Sequence, residues 1–484
     1  MDRETLAARL REILPADAVV DDEEALRPFA GDALTAYRRM PRVVALPSRV
    51  EQVQAILKLC AAEGVPVVAR GAGTGLSGGA LPDEAGVLLV LARMNRILDI
   101  DPVARTARLE PGVRNLAISE AAAPHGLYYA PDPSSQIACS IGGNVAENSG
   151  GVHCLKYGLT VHNLLGVKFL TADGELLEIG GSALDAPGLD LLAAITGSEG
   201  LLGVIVEVTV RLLPVPAATR VLMAAFADIE DAGNAVGEII SQGIVPAGME
   251  MMDRLAIEAA EDFVAAGYPR DAAAILLCEV DGTADEAEEE LARVAELLRN
   301  CGATSIRVAR DDAERARLWA GRKAAFPAVG RIAPDYYCMD GTIPRRHLAR
   351  VLIEIERVAQ TFGLAVANVF HAGDGNLHPL ILYDANAEGE LERAEACGAR
   401  ILELCVEVGG TITGEHGVGV EKIDQMCSQF GAVELERFHG LKAAFDPEGR
   451  LNPGKAVPTL ARCAELGGMH VHGGKLPHPE LERF

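Results

Sequence analysis

Five glycines fall within nine residues, Gly71, Gly73, Gly75, Gly78 and Gly79, directly behind the apolar run VPVVAR at 65–70. A strand that empties into so much glycine leaves its backbone bare. Bare backbone lets N–H groups approach an anion closely, and glycine accepts the positive φ that such nests demand. Gly73, Gly75 and Gly78 also match G-x-G-x-x-G, but that fingerprint must open a helix. Gly79, Pro82, Asp83 and Gly86 come next, and no helix starts there. The spacing therefore predicts a loop whose free N–H groups surround a phosphate directly. A second stretch, PDPSSQIACSIGGNVAENSGG at 131–151, repeats the logic with Gly142, Gly143, Gly150 and Gly151. It adds Asn144 and Asn148, which can hydrogen-bond a planar ring. A third stretch, GSEGLLGV, lies at 197–204. Separate glycine-rich loops on one unit suit a long ligand held at several points, as a dinucleotide is.

Regular elements frame these loops. Ser48 and Glu51 form a capping box, Val50, Val53, Ile56, Leu57 and Cys60 follow helical spacing, and Gly64 closes a helix over 48–63. Strands are predicted at 65–70, 86–91, 97–101, 106–112 and 204–214, with a helix over 115–123. Past Pro216 the texture changes. Amphipathic helices at 228–241, 284–300, 311–325 and 345–361 alternate with strands at 272–280, 304–309, 336–343, 364–370 and 379–383. That alternation predicts an α+β layer built of ferredoxin-like units. The chain divides into an N-terminal helical segment (1–37), the glycine-loop domain (38–216), an α+β domain (217–410), a C-terminal segment (411–457) and an irregular tail (458–484). The tail carries Cys463, His470, His472 and His478.

Charge and composition exclude several functions. The 69 acidic residues against 44 basic ones give a net charge of −25, which repels nucleic acid and anionic membranes. Apolar stretches such as 86–92 fall far short of the roughly 20 residues that a membrane-spanning helix needs. The start, MDRETLAARLREILP, is an amphipathic helix without the apolar core of a signal peptide. The 10 cysteines contain no C-x-x-C pair, so reduced thiols in a cytoplasmic setting are expected.

A second chemistry-bearing cluster is VFHAGDGNLHP at 369–379. Asp374-Gly375 between apolar runs signals a hairpin. A loop over Gly373–Asn376 opposes His371 to His378, and two opposed imidazoles can share one cation. A third ligand comes from TITGEHGVG at 411–419. Glu415 and His416 are neighbours, so in extended chain their side chains diverge: one binds the cation, the other faces a substrate. Two histidines and a carboxylate with an open position suit catalytic zinc, and also iron(II) or manganese. In LWAGRKAAFP at 318–327, Arg322 and Lys323 stand on an otherwise apolar helix. His125, His153 and His162 carry less weight, although the last two flank the second glycine stretch.

The strand–RGAGTG loop, the GGNVAENSGG stretch and GSEGLLG, in this order, resemble the FAD-binding domain of the vanillyl-alcohol oxidase and p-cresol methylhydroxylase superfamily. Within it, the whole chain resembles the FAD-linked catalytic subunits of bacterial glycolate oxidase. D-lactate and D-2-hydroxyglutarate dehydrogenases are near relatives. The resemblance implies a two-subdomain FAD-binding domain, a substrate-binding cap domain and a C-terminal segment that returns to the flavin at LNPGK, 451–455. It places Arg70, Gly71, Ala72, Gly73, Thr74, Gly75, Ser77 and Gly78 on the FAD pyrophosphate. Pro131, Asp132, Ser135, Gly142, Asn144 and Asn148 would flank ribityl and isoalloxazine, with Glu199, Gly200 and Ile205 completing the site. Members with covalent flavin carry a histidine where this chain has Thr74, so non-covalent FAD is expected, and Cys139 is read as inert.

The resemblance also makes His371, His378 and Glu415 metal ligands and His416 the base, with Arg322 holding the substrate carboxylate and Asn376 assisting. Cys338 replaces a lysine by which some relatives hold a second carboxylate, which weakens a hydroxyglutarate assignment. The implied reaction is 2-hydroxy-acid oxidation, glycolate to glyoxylate foremost. No C-x₂-C-x₂-C iron–sulfur pattern occurs in the chain. The resemblance implies, as partners, a second flavin-domain subunit and an iron–sulfur subunit that carry electrons towards quinone, and any membrane association would run through them.

Overall fold

The computed structural model describes residues 1–183, 188–459 and 462–463. The tail histidines His470, His472 and His478 lie outside the described residues.

The first layer is a four-stranded sheet in the order Val19–Val20, Val43–Ala45, Val87–Val90, Val67–Arg70. Its last three strands run parallel. Helix Val50–Glu63 packs on it through Val53, Ile56, Leu57 and Cys60, against Val67, Val87 and Leu89. Gly64 ends the helix in the left-handed region at φ 63°. The start differs from the predicted capping box. Arg49 sits at the N-cap, and Gln52 reaches back to accept from the Ser48 N–H at 2.9 Å. Glutamine there performs the return bond expected of Glu51, one residue later in the turn.

The second layer is antiparallel: Ile97–Asp101, Thr106–Leu109, Val204–Arg211, Leu164–Leu170, Leu176–Gly180. Between the two layers runs the second glycine stretch. It is not loop throughout: Ile141–Glu147 is a helix, capped by the Ser140 side chain and closed by Asn148 at φ 56°. Its apolar side, Ile141 and Val145, shares a core with Ile118, Phe169 and Val208. Tertiary packing overrides the poor helix propensity of Gly142-Gly143.

The third layer is a seven-stranded sheet. Strands Ala218–Phe226, Gly248–Asp253, Ala274–Gly282 and Ser305–Val308 lie in the order fourth, first, third, second, all antiparallel. That is the ferredoxin-like arrangement. Ala365–His371, Pro379–Tyr383 and Asp335–Cys338 extend it. Helices Ile229–Ser241, Ala284–Asn300, Leu348–Phe362 and Glu390–Glu407 cover one face around Phe226, Leu276 and Phe370. The strand Gly248–Asp253 is absent from the sequence reading. Its segment GMEMMD lacks β-branched residues and carries Glu250 in the middle, yet all six residues are buried.

Two more features position the site. Asn452 donates to the Gly79 and Glu199 carbonyls at 3.0 and 2.6 Å, and Lys455 reaches the Gly79 carbonyl at 2.8 Å, so 451–455 returns to the first glycine loop. Cys427 and Cys463 are joined as a disulfide across 36 residues, which corrects the expectation of ten reduced thiols. The spacing gave no sign of it, because only the helical segment after 426 brings the two Cα atoms within 5.2 Å.

Candidate active site

A cavity of about 220 Å³ lies between the glycine stretches and the third layer. Of the sequence-predicted residues, Arg70, Gly71, Ala72, Gly73, Thr74, Gly75, Ser135, Gly142, Asn144, Glu199, Gly200 and Ile205 line it, as does Cys139. The glycines are there for room. A Cβ on Gly142 would stand 2.6 Å from Pro111, and Gly73, at φ 71°, would drive a Cβ to 2.1 Å from the Arg70 guanidinium. Ser77, Gly78, Pro131, Asp132 and Asn148 do not line the cavity. The Ser77 carbonyl instead accepts from Val420 and Glu421 N–H groups at 3.0 and 3.2 Å, and a Cβ on Gly78 would meet Val420. Pro131 accepts from Asn115, and Asn148 from the Val161 N–H. Asp132 is taken up by His153, whose Nδ1 lies 2.8 Å from Oδ2. His153 Nε2 reaches Glu279 Oε1 at 3.1 Å, so it bridges the glycine-loop domain and the third layer. His162 accepts from the Leu159 N–H.

At the cavity's far end stand His378, Glu415 and His416, joined by Phe326. The hairpin before His378 turns one residue earlier than predicted, over 372–375. Asn368 pairs with Pro379, and His371 with Asn376, so the register is displaced by two residues. Gly375, at φ 84°, supplies the left-handed residue of this turn. His371 and His378 become diagonal neighbours on one face, still within reach of each other. Their ring centroids are 5.1 Å apart and the planes nearly perpendicular, at 86°. Glu415 Oε1 lies 3.0 Å from His378 Nε2 and 3.6 Å from His371 Nε2. His371 Nε2 has no hydrogen-bond partner. Perpendicular rings can aim their lone pairs at one point, so His371, His378 and Glu415 form a set able to hold a cation. Cys338, His378 and His416 also come close together. There the two rings stack, 7° from parallel, and their lone pairs run side by side instead of converging. The first set is the better cage.

Asp340, which the sequence reading did not single out, shapes this end. It is fully buried and accepts from the backbone N–H groups of Gly414, Glu415 and His416, and from Asn376 Nδ2 at 2.9 Å. A carboxylate that gathers successive N–H groups folds the 413–416 turn around itself. Burial would raise its pKa, but the basic groups beside it, His416, Lys422 and His378, outweigh this and set it at about 2. Asn376 is thereby engaged with Asp340 and does not line the cavity. Burial pushes His416 down to about 4, so its imidazole is neutral near pH 7. Burial would raise Glu415, but the neighbouring His371 and His378 outweigh this and hold its pKa well below the usual carboxylate value.

Arg322 also departs from expectation. It is 3% exposed and does not line the cavity. Its Nε donates to Glu250 Oε2 at 2.7 Å, and its Nη2 approaches the same oxygen at 2.6 Å without a hydrogen-bonding angle. Glu250 was missed because its strand was missed.

Known proteins share this construction. A family described as FAD binding domain matches residues 41–180, and one described as FAD linked oxidases, C-terminal domain, matches 215–456. The glycolate oxidase subunit GlcD of Escherichia coli (strain K12) is 65% identical over 484 residues, covering 100% of this chain and 97% of that protein. The chain belongs to the FAD-linked oxidases. A D-lactate dehydrogenase of Anaerostipes hadrus is 32% identical over 462 residues, covering 93% of this chain and 97% of the other. Among solved structures, substrate-bound p-cresol methylhydroxylase superposes with a TM-score of 0.78 at 20% identity, over 95% of this chain and 97% of that one, which establishes the common fold. As a FAD-linked oxidase the chain binds FAD, and the long cavity walled by bare glycine backbone suits a dinucleotide. No helix among the described residues is long and apolar enough to cross a membrane.

Proposed function

We propose that this FAD-linked oxidase converts a 2-hydroxy acid to the 2-oxo acid, glycolate to glyoxylate foremost. The observation that carries the reading is the convergence of His378, Glu415 and His416 on the end of the glycine-walled cavity. Near-complete coverage of a glycolate oxidase subunit at 65% identity supports the same substrate class.

His371, His378 and Glu415 would hold a divalent cation, zinc by preference, since two imidazoles and one carboxylate leave a position open. When bound, FAD supplies the hydride acceptor and the cation polarises the substrate hydroxyl. His416 presents Nε2 on the cavity side, 3.7 Å from Glu415 Oε1, and takes the hydroxyl proton there. Asp340 fixes His416 by its backbone. Arg322, buried and outside the cavity lining, would take the substrate carboxylate only if the site opens to it: Glu250 holds its Nε, and the hydrogens of Nη2 have no acceptor. Phe326, against the His378 ring at 6.4 Å, walls this end from water. FAD is held without a covalent bond, because Thr74 lacks the imidazole by which relatives attach their flavin. The electrons would leave through a second flavin-domain subunit and an iron–sulfur subunit. Any association with a membrane runs through those partners.

The test is turnover of His416→Asn and His371→Ala with glycolate and an artificial electron acceptor. General-base work contributes about 10²–10⁴ in rate, so His416→Asn should fall by at least about a hundredfold, and His371→Ala should fall with the loss of a cation ligand. Near wild-type turnover in either overturns its assigned role. D-lactate is the second candidate, given the 32% identical D-lactate dehydrogenase. One methyl group changes selectivity by only about 1–3 kcal/mol, so the two substrates must be ranked by measurement.

A further inference from the structure

Glu250 and His371 are directly opposed across neighbouring strands of the third layer. Glu250 Oε1 lies 2.7 Å from His371 Nδ1, and the Glu250 side chain is fully buried. An ionised carboxylate can only accept, so this bond assigns the proton to Nδ1 and leaves the Nε2 lone pair free. That Nε2 is the atom without a partner, 3.6 Å from Glu415. The other Glu250 oxygen is held by Arg322, from the helix Asp312–Lys323, so the carboxylate cannot swing away.

We propose that Glu250 is the positioning residue of the cation site: it fixes the tautomer and orientation of His371, and Arg322 fixes Glu250. The inference rests on the reading of His371, His378 and Glu415 as cation ligands and extends it. A histidine ligand is commonly oriented by a carboxylate on its other nitrogen, which sharpens its aim and raises its basicity. The geometry has the required parts: one bond to Nδ1, a second anchor on the same carboxylate, and a free Nε2 directed at the other ligands. It also explains a buried glutamate in the middle of an apolar strand, where an unpaired charge would cost several kcal/mol. Arg322 therefore touches the cation site through Glu250, in addition to any contact with substrate.

The test is zinc affinity, measured by chelator competition on the full-length FAD-loaded protein. Glu250→Gln keeps the shape but removes the charge and turns an amide towards Arg322. It should weaken zinc binding about ten- to hundredfold, with the FAD content at the wild-type level. In a His371→Ala background the same substitution should change zinc affinity little, because its effect runs through His371. In a His378→Ala background its effect should persist, since independent perturbations add. Unchanged zinc affinity in Glu250→Gln, with wild-type protein binding zinc, overturns the positioning role alone. An equal loss in the His371→Ala background overturns it too, by showing a general structural effect. Wild-type protein that binds no zinc removes the cation site and the inference together.

Discussion

Asp340 Oδ2 accepts the His416 backbone N–H at 2.9 Å, although the two residues are 76 positions apart in the chain. The bond belongs to a nest. The same carboxylate receives Gly414, Glu415 and the Thr413 hydroxyl, and Lys422 Nζ stands 3.7 Å away. Position and charge at the cavity's end therefore depend on one buried acid. Asp340→Asn replaces an acceptor by a donor facing several N–H groups and leaves Lys422 with less compensation. Breaking a buried pair of this kind costs about 3–5 kcal/mol. Thermal unfolding should show a clear fall in midpoint. Glycolate turnover should drop by at least about a hundredfold, since a misplaced base forfeits its contribution. A stable, active Asp340→Asn would show that the nest does not organise the turn.

The cradle gives a second expectation. Gly73 combines φ 71° with a Cβ position occupied by the Arg70 guanidinium. Gly73→Val must move Arg70 and pay about 1–3 kcal/mol in backbone strain. The purified variant should retain much less FAD than wild type, read as the ratio of flavin absorbance to protein absorbance. Full flavin occupancy would place the cofactor away from this loop.

The flavin linkage is testable without mutation. Thr74 cannot form the bond that a histidine makes, and Cys139 is buried with its thiol pKa raised by desolvation, so it is a poor nucleophile. Acid precipitation should release the yellow colour to the supernatant. Colour retained by the pellet would establish a covalent bond.

His153 makes the junction between domains sensitive to pH. Burial alone would lower its pKa, but Asp132 and Glu279 outweigh it and hold the pKa well above the ordinary 6.5. The folded protein thus keeps this proton at pH values where the unfolded chain has lost it. The contribution to stability is complete below about pH 6.5 and is lost as pH rises through the raised folded value. Thermal midpoints of wild type and His153→Gln should differ most near about pH 6 and converge as pH rises. A gap that widens with pH would contradict the ion-paired imidazolium.

Much of this was readable from the letters because the chemistry sits in compact motifs. Glycine runs announce backbone approach, and His371, His378, Glu415 and His416 lie within two short segments. The hairpin was legible as a hairpin, but its register was not, because the turn sits one residue earlier, over 372–375, which displaces the pairing by two. Asp340 and Glu250 were missed as site-builders for a shared reason. Each is a single polar residue whose partner lies far away in sequence and adjacent only once the sheets are assembled. Arg322 was found for its charge, and its engagement with Glu250 became visible only when the Met-rich strand Gly248–Asp253 took its place beside Ala365–His371. Composition spoke for the surface and periodicity for the helices, while long-range pairing belonged to the fold.

The proposed function rests on the reductive half-reaction, in which a 2-hydroxy acid reduces the FAD bound at this site. The most direct measurement is an anaerobic visible spectrum of the purified FAD-loaded protein, with glycolate, D-lactate, L-lactate and D-2-hydroxyglutarate added in turn. Rapid bleaching of the flavin band is expected, fastest with glycolate, with D-lactate next. A flavin band that none of the four acids bleaches, in protein shown to carry its divalent cation, would contradict the account.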